Sequence, residues 1–131
     1  MKFMVCYDES DEAQVALREA QKHALRWDAE IEVVNAILRV EPIRHKRLLE
    51  LEEQLEIEVN QLFGNYNIPY TVTLLVDDTN IGEELVKLAE RNEVDLLFLG
   101  IKKRSKVGKM LFGSTAQYVI LHATCPVVTV K

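Results

Sequence analysis

The chain has 131 residues, 48% hydrophobic and 28% charged, with five Gly and three Pro, which excludes low-complexity, collagen-like and disordered classes and fits one soluble domain with a continuous core. The net charge of −5 hides a segregation: residues 1–95 carry all twenty-one acids and ten bases, while residues 96–131 carry six bases and no acid. The first apolar run, Phe3 to Tyr7, is cut by Asp8 and no apolar run reaches the length of about eighteen that a span needs, so neither a signal peptide nor a membrane span is expected.

Strand and helix patterns alternate along the chain. Residues 2–7 (KFMVCY) form a nearly continuous apolar run, as a strand covered on both faces requires. Ser10 is a candidate N-cap, followed by acidic Asp11 and Glu12 and by a stripe of Ala13, Ala16, Leu17, Ala20 and Ala24, small enough to lie close on a sheet. A second strand is expected over 31–38 and a second helix over 43–63, with Leu48, Leu51, Leu55, Val59 and Leu62 inward and Gly64 as the stop. A third strand covers 71–76. Asn80 and Glu83 then have capping-box spacing before a helix that buries Ile81, Leu85, Leu88 and Ala89. The fourth strand is 95–100, the fourth helix starts at Gly113-Ser114 and carries Ala116, Val119, Ile120 and Ala123, and after Pro126 the fifth strand is 126–130.

The order βαβαβαβαβ implies an α/β fold with a mostly parallel sheet, right-handed crossovers and helices on both faces. Ligands of such sheets bind outside the carboxyl ends of the strands. Two segments stand there: Tyr7-Asp8-Glu9-Ser10 and the loop GIKKRSKVGKMLFGST that begins at Gly100. In that loop Lys102, Lys103, Arg104, Lys106 and Lys109 lie between a strand end and a helix start, so N–H groups, a hydroxyl and cations can converge on a phosphate. The alternative is a solvated loop whose lysines confer solubility. No GxxxxGK[ST] occurs.

The loop resembles the nucleotide-binding signature of the universal stress protein family, Gly-x2-Gly-x9-Gly-[Ser/Thr], with Gly100, Gly113 and Ser114 in register. The resemblance covers residues 1–131: the first strand ends in Asp8 with Ser10 two residues on, and the chain closes on Cys-Pro-Val-Val-Thr-Val. It implies a Rossmann-like fold of the adenine nucleotide alpha hydrolase type, a five-stranded parallel sheet in the order 3-2-1-4-5, with the first strand central because KFMVCY has no polar face. It also implies an ATP site, with or without Mg²⁺. Asp8 and Cys6 would be near the nucleoside, Ala36 would contact the base, Leu99 would join the site as the residue before the first loop Gly, and Gly100, Lys102, Lys103, Gly113, Ser114, Thr115 and Ala116 would surround the phosphates. Lys103 stands where the pattern has its second Gly. A positive φ there would cost Lys about 1–2 kcal/mol, against about 1.5–3 kcal/mol for one ammonium contact to phosphate, so the basic cluster favours salt-dependent binding.

The resemblance further implies a homodimer through residues 126–130, whose apolar edge is otherwise a liability. A cytoplasmic stress-response regulator is expected, with an unknown protein partner and with neither nucleic acid nor membrane as a target. Cys6 and Cys125 form no CxxC pair, which points to a reducing compartment rather than a disulfide or metal site. His23, His45 and His122 read as packed or surface residues rather than ligands, and Cys6 as a packing thiol. The charge-rich second helix reads as a solvated face or a partner surface.

Three other readings are weighed. An ATP-using enzyme on a similar fold would need a glycine-rich phosphate loop after the first strand, where Asp8 and Glu9 stand, although slow ATP hydrolysis stays open. A family member without nucleotide would act as a dimeric interaction module. A phosphoacceptor receiver domain would use Asp8, Glu9, Asp77 and Asp78, but the sequence given closes on the fifth strand with no fifth helix and its basic loop is long.

Overall fold

The computed structural model describes residues 1–39, 41–102 and 113–131. The chain runs β1 (Lys2–Cys6), α1 (Asp11–Trp27), β2 (Glu30–Leu38), α2 (His45–Phe63), β3 (Tyr70–Asp77), α3 (Ile81–Arg91), β4 (Leu96–Gly100), α4 (Ser114–His122) and β5 (Val127–Val130). All four strand pairings are parallel and the order is β3-β2-β1-β4-β5, as the sequence implies. β1 is central because side chains of both parities are apolar: Phe3, Val5 and Tyr7 enter a layer with α1 and α2, and Met4 enters the opposite layer with α3 and α4. This order also removes the receiver reading. Receiver-type sheets, ordered 2-1-3-4-5, seat strands one and three together, whereas here β2 separates β1 from β3.

Local signals account for the helix ends. The Ser10 hydroxyl accepts from the Ala13 N–H at 3.1 Å, and Gly64 closes α2 with φ 53°. The capping box at α3 is only half made. Asn80 Oδ1 accepts from the Glu83 N–H at 3.0 Å, but the Asn80 N–H donates to Asp77 Oδ2 at 2.8 Å, and Glu83 pairs instead with Lys87 at 3.2 Å. Two stripes are shorter than expected. α2 buries Leu55, Val59 and Phe63, while Leu48, Leu51 and Leu62 are half-buried, because α2 lies over the edge strand β3 and only one flank is covered. On α4 Val119 is buried but Ile120 is exposed, since the sheet stops at β5.

One buried carboxylate crosses the apolar pattern of β2. Glu32 is only 5% exposed, and its two oxygens accept from Thr73 Oγ1 and Asn92 Nδ2, both at 2.9 Å. The network ties β2 to β3 and to the end of α3, and it satisfies a group whose burial would otherwise be costly.

α1 lies unusually close to the sheet at Gly100. A Cβ built there would stand 2.5 Å from the Glu12 carbonyl carbon and 2.8 Å from the Ala13 nitrogen. Both neighbours are backbone, so neither can swing aside. Gly100→Ala is therefore expected to destabilise the fold by about 1–3 kcal/mol, the usual cost of overpacking. Denaturant unfolding should show a lower midpoint with an unchanged slope; an unchanged midpoint would mean that α1 shifts freely.

Candidate functional site

β1 and β4 are neighbours, and their connections leave in opposite directions, β1 to β2 on one side and β4 to β5 on the other. A crevice at their carboxyl ends follows from that reversal. A cavity of about 610 Å³ occupies it. Ten of the residues picked from the sequence line it: Cys6, Asp8, Ala36, Leu99, Gly100, Lys102, Gly113, Ser114, Thr115 and Ala116. The eleventh, Lys103, lies outside the described residues, as do Arg104, Lys106 and Lys109.

The cavity has two kinds of lining. Val34, Ala36, Leu85 and Leu99 supply an apolar wall from β2, α3 and β4. Asp8, Ser10, Lys102, Ser114 and Thr115 supply a polar one. Tyr7 and Ile101, from the two segments marked at the strand ends, also line it, as do Val34, Ile81 and Leu85, which the sequence marked only as parts of apolar patterns. Val34 was within reach, since it shares a face of β2 with Ala36.

The polar lining is built from local geometry. Tyr7 continues the ladder by donating its N–H to the Val34 carbonyl at 2.8 Å, and Glu9 then turns the chain with φ 68°. Asp8 Oδ1 accepts from the Ser10 N–H at 3.1 Å. The Ser10 hydroxyl is committed to capping α1. Across the crevice, α4 starts at Gly113 with no side-chain cap, so its first-turn N–H groups suit an anion. A Cβ on Gly113 would meet nothing within 4 Å among the described residues. Gly100, in the same motif, is small because α1 presses on it.

The thiol of Cys6 is pushed up to about 12, by burial first and then by the charges of Asp8 and Cys125, so it stays protonated at neutral pH and packs rather than reacts. His23 rests edge-on against Phe98, with ring centroids 5.4 Å apart, and its Nδ1 lies 2.8 Å from the Glu19 carbonyl. His122 lies against Tyr118. Asp77 is occupied as well: the N–H groups of Asn80 and then Thr79 hold its carboxyl below the usual range.

Beside the cavity, the buried Tyr7 hydroxyl donates to Glu58 Oε1 of α2 at 2.7 Å. Burial, and then that bond to a carboxylate, raise the Tyr7 phenol above its ordinary value. Glu9 faces the same carboxylate. The charge of Glu58, then burial, a hydrogen bond to Glu58 and the charge of Asp8 raise its carboxyl above the ordinary 4.5. A carboxyl raised on folding contributes stability below its unfolded value, and that contribution is lost as pH rises through the folded value. Glu9→Gln should therefore unfold at a higher temperature than the parent near neutral pH, with the two curves converging below the ordinary 4.5 of Glu9. Identical melting at both pH values would show that Glu9 and Glu58 do not repel.

The whole chain, residues 1–131, matches the family model described as the universal stress protein family. A universal stress protein of Thermus aquaticus, from the region 3′ of QAH/OAS sulfhydrylase, is 31% identical over 136 aligned positions, covering 98% of this chain and 96% of its own. A solved universal stress protein from Archaeoglobus fulgidus superposes with a TM-score of 0.80 at 26% identity, covering 100% of this chain and 93% of its own. Another from Archaeoglobus fulgidus, in complex with dAMP, gives 0.76 at 24% identity, with 99% and 96% covered. With the fold, the strand order and the loop motif in agreement, the chain belongs to the universal stress protein family.

Proposed function

We propose that this chain binds an adenine nucleotide, ATP with or without Mg²⁺, in the cavity between β1 and β4, and acts as a cytoplasmic regulatory protein rather than as a catalyst. The observation that carries the reading is the convergence of ten motif residues, distant in sequence, on one cavity lined by both apolar and polar side chains. A nucleotide has the same division. The base suits the wall of Val34, Ala36, Leu85 and Leu99, and the free oxygen of Asp8 suits a ribose hydroxyl. The phosphates suit the start of α4, with Ser114, Thr115 and Lys102 beside it. The dAMP held by the Archaeoglobus fulgidus relative is of this chemical class. A cation would share the phosphates with Asp8, a donor set that Mg²⁺ accepts.

The residues favour holding over transfer. Cys6 is protonated, Ser10 is engaged as a cap, and among the described residues no group of three or more His, Cys, Asp or Glu could hold a metal ion by itself. No helix among them is long and apolar enough to cross a membrane.

The proposed homodimer uses β5. The bonds from the Leu97 N–H to the Pro126 carbonyl and from the Ile101 N–H to the Val130 carbonyl show that even-numbered residues of β5 face β4. Val127 and Thr129 therefore turn their N–H and C=O groups to the open edge. On α4, Ile120 and the 71%-exposed Leu121 also offer apolar surface to a second copy.

Two experiments test these readings. ATP titrations should show that Gly113→Val loses binding while melting like the parent, because a side chain there meets nothing among the described residues. Asp8→Ala should weaken binding by about 1.5–3 kcal/mol, the worth of a hydrogen bond to a charged group. Equal affinity in all three proteins would place the nucleotide elsewhere or nowhere, and would favour the interaction-module reading. In sedimentation at tens of micromolar, the parent should be a dimer and Thr129→Pro, which removes an outward donor and spares the β4 ladder, a monomer. A monomeric parent would end the dimer proposal.

A further inference from the structure

The other edge of the sheet, at β3, is open too, and a groove runs along it. The Ile31 N–H donates to the Pro69 carbonyl and the Arg39 N–H to the Asp77 carbonyl, so odd-numbered residues of β3 serve β2 throughout. Tyr70, Val72, Leu74 and Val76 consequently direct their backbone N–H and C=O groups outward. Among the described residues no backbone group bonds to them there.

The groove beside this edge has a volume of about 750 Å³ and is lined by Glu53, Glu56, Ile57 and Asn60 of α2 and by Tyr70, Thr71 and Val72 of β3. Its frame is fixed: Tyr70 stacks on Phe63 with ring centroids 4.0 Å apart, and its hydroxyl donates to Asn60 Oδ1 at 2.7 Å. Its lining is mixed. Ile57 is 55% exposed and Val72 half-buried, while the exposed Glu53 and Glu56 carry two negative charges with no cationic side chain in the lining. A row of free backbone groups, an apolar floor and two unneutralised carboxylates meet in one place.

We propose that this groove takes an extended segment of a partner protein as a sixth strand on β3, a segment that alternates apolar residues with Lys or Arg. The main chain of the segment would complete the ladder on Tyr70, Val72, Leu74 and Val76. The cations of such a strand share one face; turned toward α2 they would reach Glu53 and Glu56, with their aliphatic stems on Ile57 and Val72, while the apolar residues would extend the opposite face of the sheet. A second copy of this chain is the weaker occupant. Two-fold pairing of β3 with β3 would bring two acidic grooves together, with Glu53 and Glu56 adding like charges at the join. The β3 edge lies at the opposite end of the sheet from β5, so this inference is independent of the nucleotide and dimer readings.

The test uses the full chain and two synthetic heptapeptides, Lys-Val-Lys-Val-Lys-Val-Lys and its Glu counterpart, in calorimetric titrations at low and moderate salt. The Lys peptide should bind and the Glu peptide should not. The double variant Glu53→Lys/Glu56→Lys, both changes on exposed positions, should weaken the Lys peptide at least about tenfold and admit the Glu peptide. Val72→Pro, which removes one outward N–H and spares the β2 ladder, should also weaken it, with its melting temperature measured alongside. Failure of the parent to bind the Lys peptide overturns the proposal. So does equal binding by parent and double variant, which would place the peptide elsewhere on the protein. A dimer abolished by the double variant but not by Thr129→Pro would assign the edge to a second copy and likewise overturn it.

Discussion

The contact between the first turn of α1 and Gly100 sets the geometry on which the site depends. Backbone meets backbone there, at distances that leave no space for a methyl group. The alanine stripe of α1, from Ala13 to Ala24, lets the helix lie this low on the sheet. Its N-terminal turn, and with it Asp8 and Ser10, is thereby held over the end of β4, opposite the start of α4. A bulkier residue at position 100 would lift α1 and widen the cavity. The first glycine of the loop motif is thus an architectural requirement, and the proximity it creates serves the ligand indirectly.

The same sheet order that makes β1 central also makes its carboxyl end the place where connections diverge. Tyr7 links that place to the far layer. Its ring is buried among core residues and its hydroxyl holds Glu58 of α2, so one residue belongs at once to the core, to the cavity wall and to a polar bridge. The neighbouring Glu9, in the left-handed region, places a second carboxylate against Glu58. The edge of the site therefore combines a favourable bond and a repulsion on the same oxygen pair.

Features set by neighbours in sequence were legible before the structure. Apolar runs buried on both faces read as parallel strands, Ser10 reads as a cap because the N–H it accepts from is three residues away, and Gly113-Ser114 reads as a helix start. Features set by distant partners were not. Glu32 reads as an interruption of an apolar strand until Thr73 and Asn92, 41 and 60 residues away, are seen to satisfy it. Tyr7 reads as the last apolar residue of β1 until Glu58, 51 residues on, is seen to hold it. Periodicity gave α2 and α4 their apolar stripes but carried no information on how wide a sheet lay beneath them. Leu48 and Ile120 are therefore less covered than their spacing suggests. At Asn80, the local pattern was right about one hydrogen bond and wrong about its reciprocal, because Asp77 reaches the free N–H first.

The two edges of the sheet are unlike, β5 being a strand of four residues and β3 being flanked by the carboxylates of α2. A two-fold axis at β5 would join two five-stranded sheets into one of ten strands, and both acidic edges would then stand at its outer ends. Such a particle is bivalent. A filament or a partner with repeated basic segments would meet two receptors at a fixed separation, and the second engagement would be governed by effective concentration rather than by the affinity of one groove. Loss of the dimer would then reduce avidity for repeated targets while leaving the affinity for a single segment unchanged.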